Sequence, residues 1–189
     1  MKASTPDNGY FINSNIYEFA KIFSRRDDLV NFCKKLLPKK IIACEVGVFK
    51  GIFSKKLYDI LNPEIFYLID INFDKFINFE GKYVCFKGKS YEELQKMPNE
   101  SLSFIYVDAG HNYEDIKRDI EQAHKKIIHS GIIQFNDYCN YDVITDKKYG
   151  VLQAVNEYIE NYNVEIIGIS LDRCGFHDLA VKVNKICLL

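Results

Sequence analysis

The sequence predicts an α/β fold in a single domain: a doubly wound, mostly parallel sheet with helices on both faces. Three observations predict it. Short β-rich apolar runs alternate with helical patterns along the chain. The central runs are continuously apolar, as strands covered on both faces must be. Several of them stop at a glycine or an acid, and such sheets bind ligands beyond the carboxyl ends of their strands.

Residues 1–40 read as an N-terminal helical segment, with helices over Ile16–Phe23 and Leu29–Leu37, ahead of a domain spanning 41–189. Residues 41–46 form the first strand, and Gly47 and Gly51 bracket the turn after it. Phe53, Leu57, Ile60 and Leu61 then recur at helical spacing. Strands follow at 65–70 and 82–86, then a short helix at Tyr91–Lys96 and a strand at 102–107. Tyr113, Ile116, Ile120, Ala123 and Ile127 fall on one helical face, which Ser130-Gly131 ends. A fifth strand covers 132–135, and Val151, Leu152, Val155, Ile159 and Tyr162 mark a helix. Two last strands, about 164–171 and 177–184, are joined by a hairpin-like turn at 172–175. The count is seven strands, the last one antiparallel.

Composition bounds the function. The chain has 189 residues, 48% of them hydrophobic and 27% charged, which excludes a disordered protein. A net charge of -1 gives no whole-domain case for nucleic acid. Lys outnumbers Arg 21 to 4, a bias expected of an AT-rich, bacterial genome. Six cysteines (33, 44, 85, 139, 174 and 187) form no CxxC pair, and Cys44 and Cys85 lie in apolar runs, so buried free thiols in a reducing cytoplasm are expected. The first residues lack the apolar core of a signal peptide, and no run approaches the roughly 18 apolar residues of a membrane span. A soluble, cytoplasmic protein is expected, with a homodimer plausible for so small a chain.

Three strand ends carry chemistry. After the first, Glu45-Val46-Gly47-Val48-Phe49-Lys50-Gly51 makes a sharp turn into a helix whose N–H groups face a ligand carboxylate or phosphate. Ser54, in that first helical turn, adds a hydroxyl. The G-x-x-x-G spacing is not the dinucleotide fingerprint. Asp70 ends the second strand 19 residues after Gly51, where an acid accepts both ribose hydroxyls of a nucleoside. Asp108 ends the fourth strand, and Asn136-Asp137 follow the fifth, 29 residues from Asp108 to Asp137. Asp108, Asn136 and Asp137 bring three oxygen donors to one edge, which suits a hard cation such as Mg2+. The alternative is that Asp137 caps its loop or contacts the cofactor, without a metal. His111 has a pKa suited to a general base, or else it caps the long helix, a task Asn112 also fits. His124, His129 and His177 read as surface or packing residues. Tyr138 and Tyr141 stand where they would line an acceptor pocket.

E-x-G-x-x-x-G after the first strand, an acid after the second, and Val107-Asp108-Ala109-Gly110-His111-Asn112-Tyr113 after the fourth resemble the class I methyltransferases that use S-adenosylmethionine. With the later Asn136-Asp137-Tyr138, the chain resembles the small bacterial group that includes sugar and antibiotic O-methyltransferases, from about residue 40 to about 160. The resemblance implies a Rossmann-like seven-stranded sheet with its last strand reversed. It implies that Glu45, Gly47 and Gly51 line the methionine end of the cofactor, Asp70 its ribose and Ser90 its adenine, with Asp108 also on the cofactor side. Metal-dependent relatives carry a lysine at the offset of His111, where it takes the proton of the acceptor hydroxyl. The reading is transfer of a methyl group from S-adenosylmethionine to a hydroxyl of a small molecule or sugar, with His111 and Asp108 as catalytic residues. A non-catalytic nucleoside-binding scaffold and a nicotinamide-dependent oxidoreductase are the rivals.

Overall fold

A computed structural model describes residues 17–171 and 175–185. Eight strands form one sheet in the order β1-β9-β10-β6-β5-β2-β3-β4. They are β1 (Lys21–Phe23), β2 (Ile42–Val46), β3 (Ile65–Asp70), β4 (Tyr83–Lys87), β5 (Leu102–Val107), β6 (Ile127–Phe135), β9 (Val164–Ser170) and β10 (Asp178–Val183). Only β10 runs against its neighbours, pairing antiparallel with both β6 and β9. The α/β architecture and the reversed strand are therefore as expected, but the sheet has eight strands and not seven.

The added strand is β1, which pairs parallel with β9, Lys21 opposite Gly168. The helix expected over Ile16–Phe23 is not formed: Tyr17–Phe19 is a turn, Lys21–Phe23 is extended, and residue 16 lies outside the described region. Open N–H and C=O groups on the edge of β9 compete with a short helix, and pairing satisfies them. The turn 172–174, Cys174 and Cys187 also lie outside the described residues.

Helix α1 (Arg26–Lys34) begins three residues before the expected start. Helix α2 (Ile52–Leu61) follows the glycine turn, and α3 (Ser90–Lys96) is short. Helix α4 (Tyr113–Lys126) is capped by the Asn112 side chain, which accepts the Asp115 N–H at 3.0 Å. It ends at Lys126, and β6 starts at once, earlier than the expected 132. Leu102 pairs with Ile127 but Phe104 with Ile132, so extra residues bulge from β6 around Ser130, whose φ is 62°. A two-stranded hairpin, β7 (Tyr141–Asp142) with β8 (Lys147–Lys148), precedes α5 (Val151–Asn161).

One apolar cluster joins α4 and α5 to the sheet through Ile105, Val107, Ile116, Ile120, Ile133 and Val155. The other joins α1 and α2 through Val30, Leu57, Leu68, Phe104 and Ile132. Each fully buried Leu, Ile or Phe contributes about 1.5–3 kcal/mol. Among the described cysteines, Cys33 and Cys44 are buried and none is paired. Cys85 is exposed, contrary to expectation, because β4 is the edge of the sheet. No helix among the described residues is long and apolar enough to cross a membrane.

Strand order places the site. The chain runs from β2 outward to β3 and β4, then returns to β5 on the other side of β2. A crevice opens beyond the strand ends where this order reverses.

Candidate active site

Gly47 leaves β2 at φ 87° and donates its N–H to the Ile69 carbonyl at 2.8 Å. Gly51 caps α2 at φ 73°, and a Cβ there would stand 2.4 Å from the Phe76 ring. Between them the backbone N–H groups of Val48 and Phe49 donate to Asp70 Oδ2 at 2.7 and 2.8 Å. Asp70 Oδ1 accepts the Asn72 N–H at 2.9 Å. The acid at the end of β3 thus ties the glycine turn of β2 to its own loop.

These elements surround a cleft of about 870 Å³, lined by Glu45, Gly47, Asp70, Ser90, Asp108 and His111 among others. Gly51 and Ser54 stand behind its wall. Glu45 is 1% exposed, and burial pushes its carboxyl well above the ordinary range. The Ser54 hydroxyl beside it favours the ion, but no well-aligned hydrogen bond reaches Glu45 Oε2 or Ser54 Oγ. A buried acceptor without a partner at the floor of a cleft fits a ligand that brings a donor. Ser90 opens α3 and faces the buried Asp119 of α4.

His111 Nε2 lies 3.2 Å from Asp137 Oδ2 and 3.7 Å from Asp108 Oδ1. Its ring stacks on Tyr149, with centroids 4.5 Å apart. Burial by itself would lower the imidazole pKa. Asp108 and Asp137 outweigh it and raise the value to about 9, so the resting ring is cationic at neutral pH. Burial in turn raises the Asp108 carboxyl, against the pull of His111.

The expected metal set does not fit a cation. Asn136 turns its Nδ2 to Asp108 Oδ1 at 3.1 Å, and its Oδ1 accepts from Arg26 Nη1 at 3.2 Å. The imidazolium of His111 stands between the two aspartates, where a cation would have to lie. Among the described residues no three His, Cys, Asp or Glu side chains are placed to hold a metal. Asp108, Asn136 and Asp137 are brought together, but the Asn136 amide turns its Nδ2 to Asp108 and His111 stands beside both aspartates.

A second cavity of about 550 Å³ lies on the other side, lined by Asp137, Tyr149, Ser170 and Asp178, and Arg26 lines both cavities. Neither Tyr138 nor Tyr141 lines either cavity. Tyr138 is buried and bonds Tyr17 at 2.9 Å, and Tyr141 stands on the hairpin. Three residues of this region escaped the sequence reading. Arg26 stacks its guanidinium 4.0 Å from the Phe53 ring centroid. The Tyr106 hydroxyl stands 2.9 Å from Asp178 Oδ2 and 3.0 Å from Asn136 Oδ1. Asp178 also accepts from Gln134 at 2.8 Å, and burial pushes its carboxyl up to about 7. The available signals were an Arg25-Arg26 pair in an arginine-poor chain and a lone acid opening an apolar strand.

A family described as a methyltransferase domain matches residues 44–138, just over half of the chain. The chain belongs to this methyltransferase family. The match begins in β2 and runs through β3, β5 and α4 to Tyr138, so it includes every lining residue of the cleft except Arg26. No curated protein matches the sequence. Solved structures share the fold at low identity. The O-methyltransferase TomG of Streptomyces achromogenes, involved in tomaymycin synthesis and solved with S-adenosylmethionine, is 15% identical, with a TM-score of 0.64 over 95% of this chain and 83% of that one. An O-methyltransferase of Bacillus cereus in complex with S-adenosylhomocysteine is 12% identical, with a TM-score of 0.58 over 93% and 83%. A precorrin-6y C5,15-methyltransferase of Geobacter metallireducens is 11% identical, with a TM-score of 0.57 over 84% and 87%. The nicotinamide-dependent reading falls away with the family match. The atom that receives the methyl group differs among these neighbours, so the shared fold does not name it.

Proposed function

We propose that the protein transfers a methyl group from S-adenosylmethionine to a hydroxyl of a small molecule or sugar. The observation that carries this reading is that two cavities share Arg26, with Asp108 and His111 lining the first and their neighbour Asp137 lining the second. One is the crevice at the reversal of strand order, and the other is open to an acceptor. Bound S-adenosylmethionine supplies a methyl group on a sulfonium. Glu45 offers its unpartnered Oε2 to the amino acid end, the glycine turn gives close backbone approach, and Asp70 and Ser90 stand at the nucleoside end. Holding the acceptor oxygen in line supplies much of the acceleration.

His111 is our candidate for the group that takes the acceptor proton, and in the resting structure its Nε2 faces Asp137 and Asp108. At a pKa of about 9, only roughly one ring in a hundred is neutral at pH 7. The base is therefore scarce at neutral pH, and turnover should climb as the medium becomes alkaline. No step passes through a metal.

Calorimetric titration with S-adenosylhomocysteine, with NADH as the control ligand, tests the reading. Binding at micromolar concentration by the first and not the second supports it. Binding of neither overturns it in favour of a fold that has lost its chemistry.

A further inference from the structure

The second cavity is lined by Arg25 and Arg26 and by three aspartates, Asp137, Asp142 and Asp178. Each of its acids already has a partner. Asp142 accepts from the N–H groups of Ile144 and Thr145 at 2.8 and 3.2 Å, and from the Thr145 and Tyr149 hydroxyls. Asp178 accepts from Gln134 and Tyr106. Asp137 faces His111. Arg26 is different. Its Nη1 reaches Asn136 at 3.2 Å and Tyr106 at 3.4 Å, but its Nε and Nη2 donate to nothing among the described residues. Phe53 fixes the plane of the guanidinium, and the side chain is open to both cavities. Ser24, Thr145 and Ser170 add hydroxyls to the lining. Arg25 lines the same cavity, paired with Asp27 at 3.2 Å.

A planar cation with a free edge matches two oxygens of one oxyanion, which a lysine does not. The chain uses 21 lysines and only four arginines, and two of the four stand consecutively here. An ammonium was available and a fork is present. Arg26 opens helix α1, where a cation is locally unfavourable. Its position is thus explained by what it faces and not by the helix that carries it.

From this geometry we infer that the second cavity binds an oxyanion, with Arg26 as the residue that positions it, so that the acceptor is a hydroxylated small molecule carrying a carboxylate or phosphate group. The inference rests on the methyltransferase reading for the word acceptor, but the anion site itself does not. The two cavities meet at Arg26, so an anion held there places the rest of the acceptor beside Asp108 and His111, at the mouth of the cofactor cleft.

Calorimetry on the full chain tests it, with and without S-adenosylhomocysteine. The probes are sodium benzoate, its neutral twin benzamide, and inorganic phosphate. Benzoate or phosphate should bind saturably, with Kd on the order of 1 mM, and benzamide at least about tenfold more weakly than benzoate. The tighter of the two anions names the acidic group. Arg26→Lys should weaken the anion about tenfold, and Arg26→Gln should abolish its binding. Thermal melting at the temperature of the parent shows that the variants fold. Saturation by neither anion, equal binding of benzamide, or unchanged binding by folded Arg26→Lys and Arg26→Gln would overturn the inference. Anion binding that survives a failure to bind S-adenosylhomocysteine would leave this site standing and remove the proposed function instead.

Discussion

The backbone oxygen of Asp108 occupies the space that a Cβ on Gly47 would need, 1.8 Å from where that atom would lie. Strands β2 and β5 leave the sheet side by side, and the missing side chain lets their ends touch. Gly47→Ala meets that oxygen and also takes a positive φ of 87°. The expected cost is about 2–5 kcal/mol, with loss of S-adenosylhomocysteine binding. Thermal melting with calorimetry checks both. A variant that melts and binds like the parent would contradict this account of the turn.

Asp70 holds the glycine turn through the Val48 and Phe49 N–H groups. Asp70→Ala leaves both donors without their acceptor, at a cost of about 1–3 kcal/mol. Affinity for S-adenosylhomocysteine should fall at least about tenfold, because the turn and the nucleoside end lose the same carboxylate. Asp70→Asn keeps one acceptor oxygen and should fall between. Equal affinity in all three proteins would separate Asp70 from ligand binding.

His111 should titrate at about 9 in NMR spectra of its ring protons. The folded pKa lies above the ordinary 6.5, so the stabilisation is complete below pH 6.5 and is lost as pH rises through about 9. Asp137→Asn removes one of the two acids beside the ring and should bring the value down by about one unit. Asp137 sits at φ 51°, which asparagine tolerates, so the backbone is kept. A ring titrating near 6.5 in the parent would remove the imidazolium from the site.

Asp119 is fully buried, with neither carboxylate oxygen in a well-aligned hydrogen bond. Burial raises its pKa to about 6, against the Ser90 hydroxyl. Here the folded value lies above the unfolded one, so the ion costs stability as pH rises from about 4 through 6. Asp119→Asn should therefore gain on the order of 2 kcal/mol at pH 7. The gain should vanish below pH 4. Urea unfolding at the two pH values decides.

Tyr106→Phe removes a hydroxyl from between Asp178 and Asn136. The expected loss is about 1–3 kcal/mol. Asp178, already at about 7, loses a bond that favours its ion and should titrate higher. The pH dependence of unfolding should steepen accordingly between pH 7 and 8. An unchanged profile would mean that burial, Gln134 and Arg26 set the carboxyl without the Tyr106 hydroxyl.

The glycine turn, Asp70, Asp108 and His111 were legible because each follows an apolar run that reads as a buried strand. Their roles were less legible than their places. Asp70 reads as an acceptor for ribose hydroxyls, and in the structure it also holds backbone N–H groups. Asp108, Asn136 and Asp137 read as a cation site, but Asn136 turns its amide to Asp108 and the His111 ring stands beside Asp137. Spacing along a strand shows which residues reach an edge. It does not show which atom of each turns toward its neighbour.

The sequence by itself determined the alternation of elements, the reversed final strand, and the strand ends whose acids line the cleft. These follow from local periodicity and from turns that only glycine makes easily. Tertiary structure alone decided the eighth strand, the charge on His111 and the presence of Arg26 in the site. Strand β1 exists because β9 offers an open edge. His111 is charged because Asp108 and Asp137 outweigh its burial. Arg26 reaches the strand ends because α1 packs beside α2, bringing its guanidinium onto Phe53. Those contacts join residues far apart in the chain, and no local pattern encodes an interaction whose partner is chosen by the order of strands in the sheet.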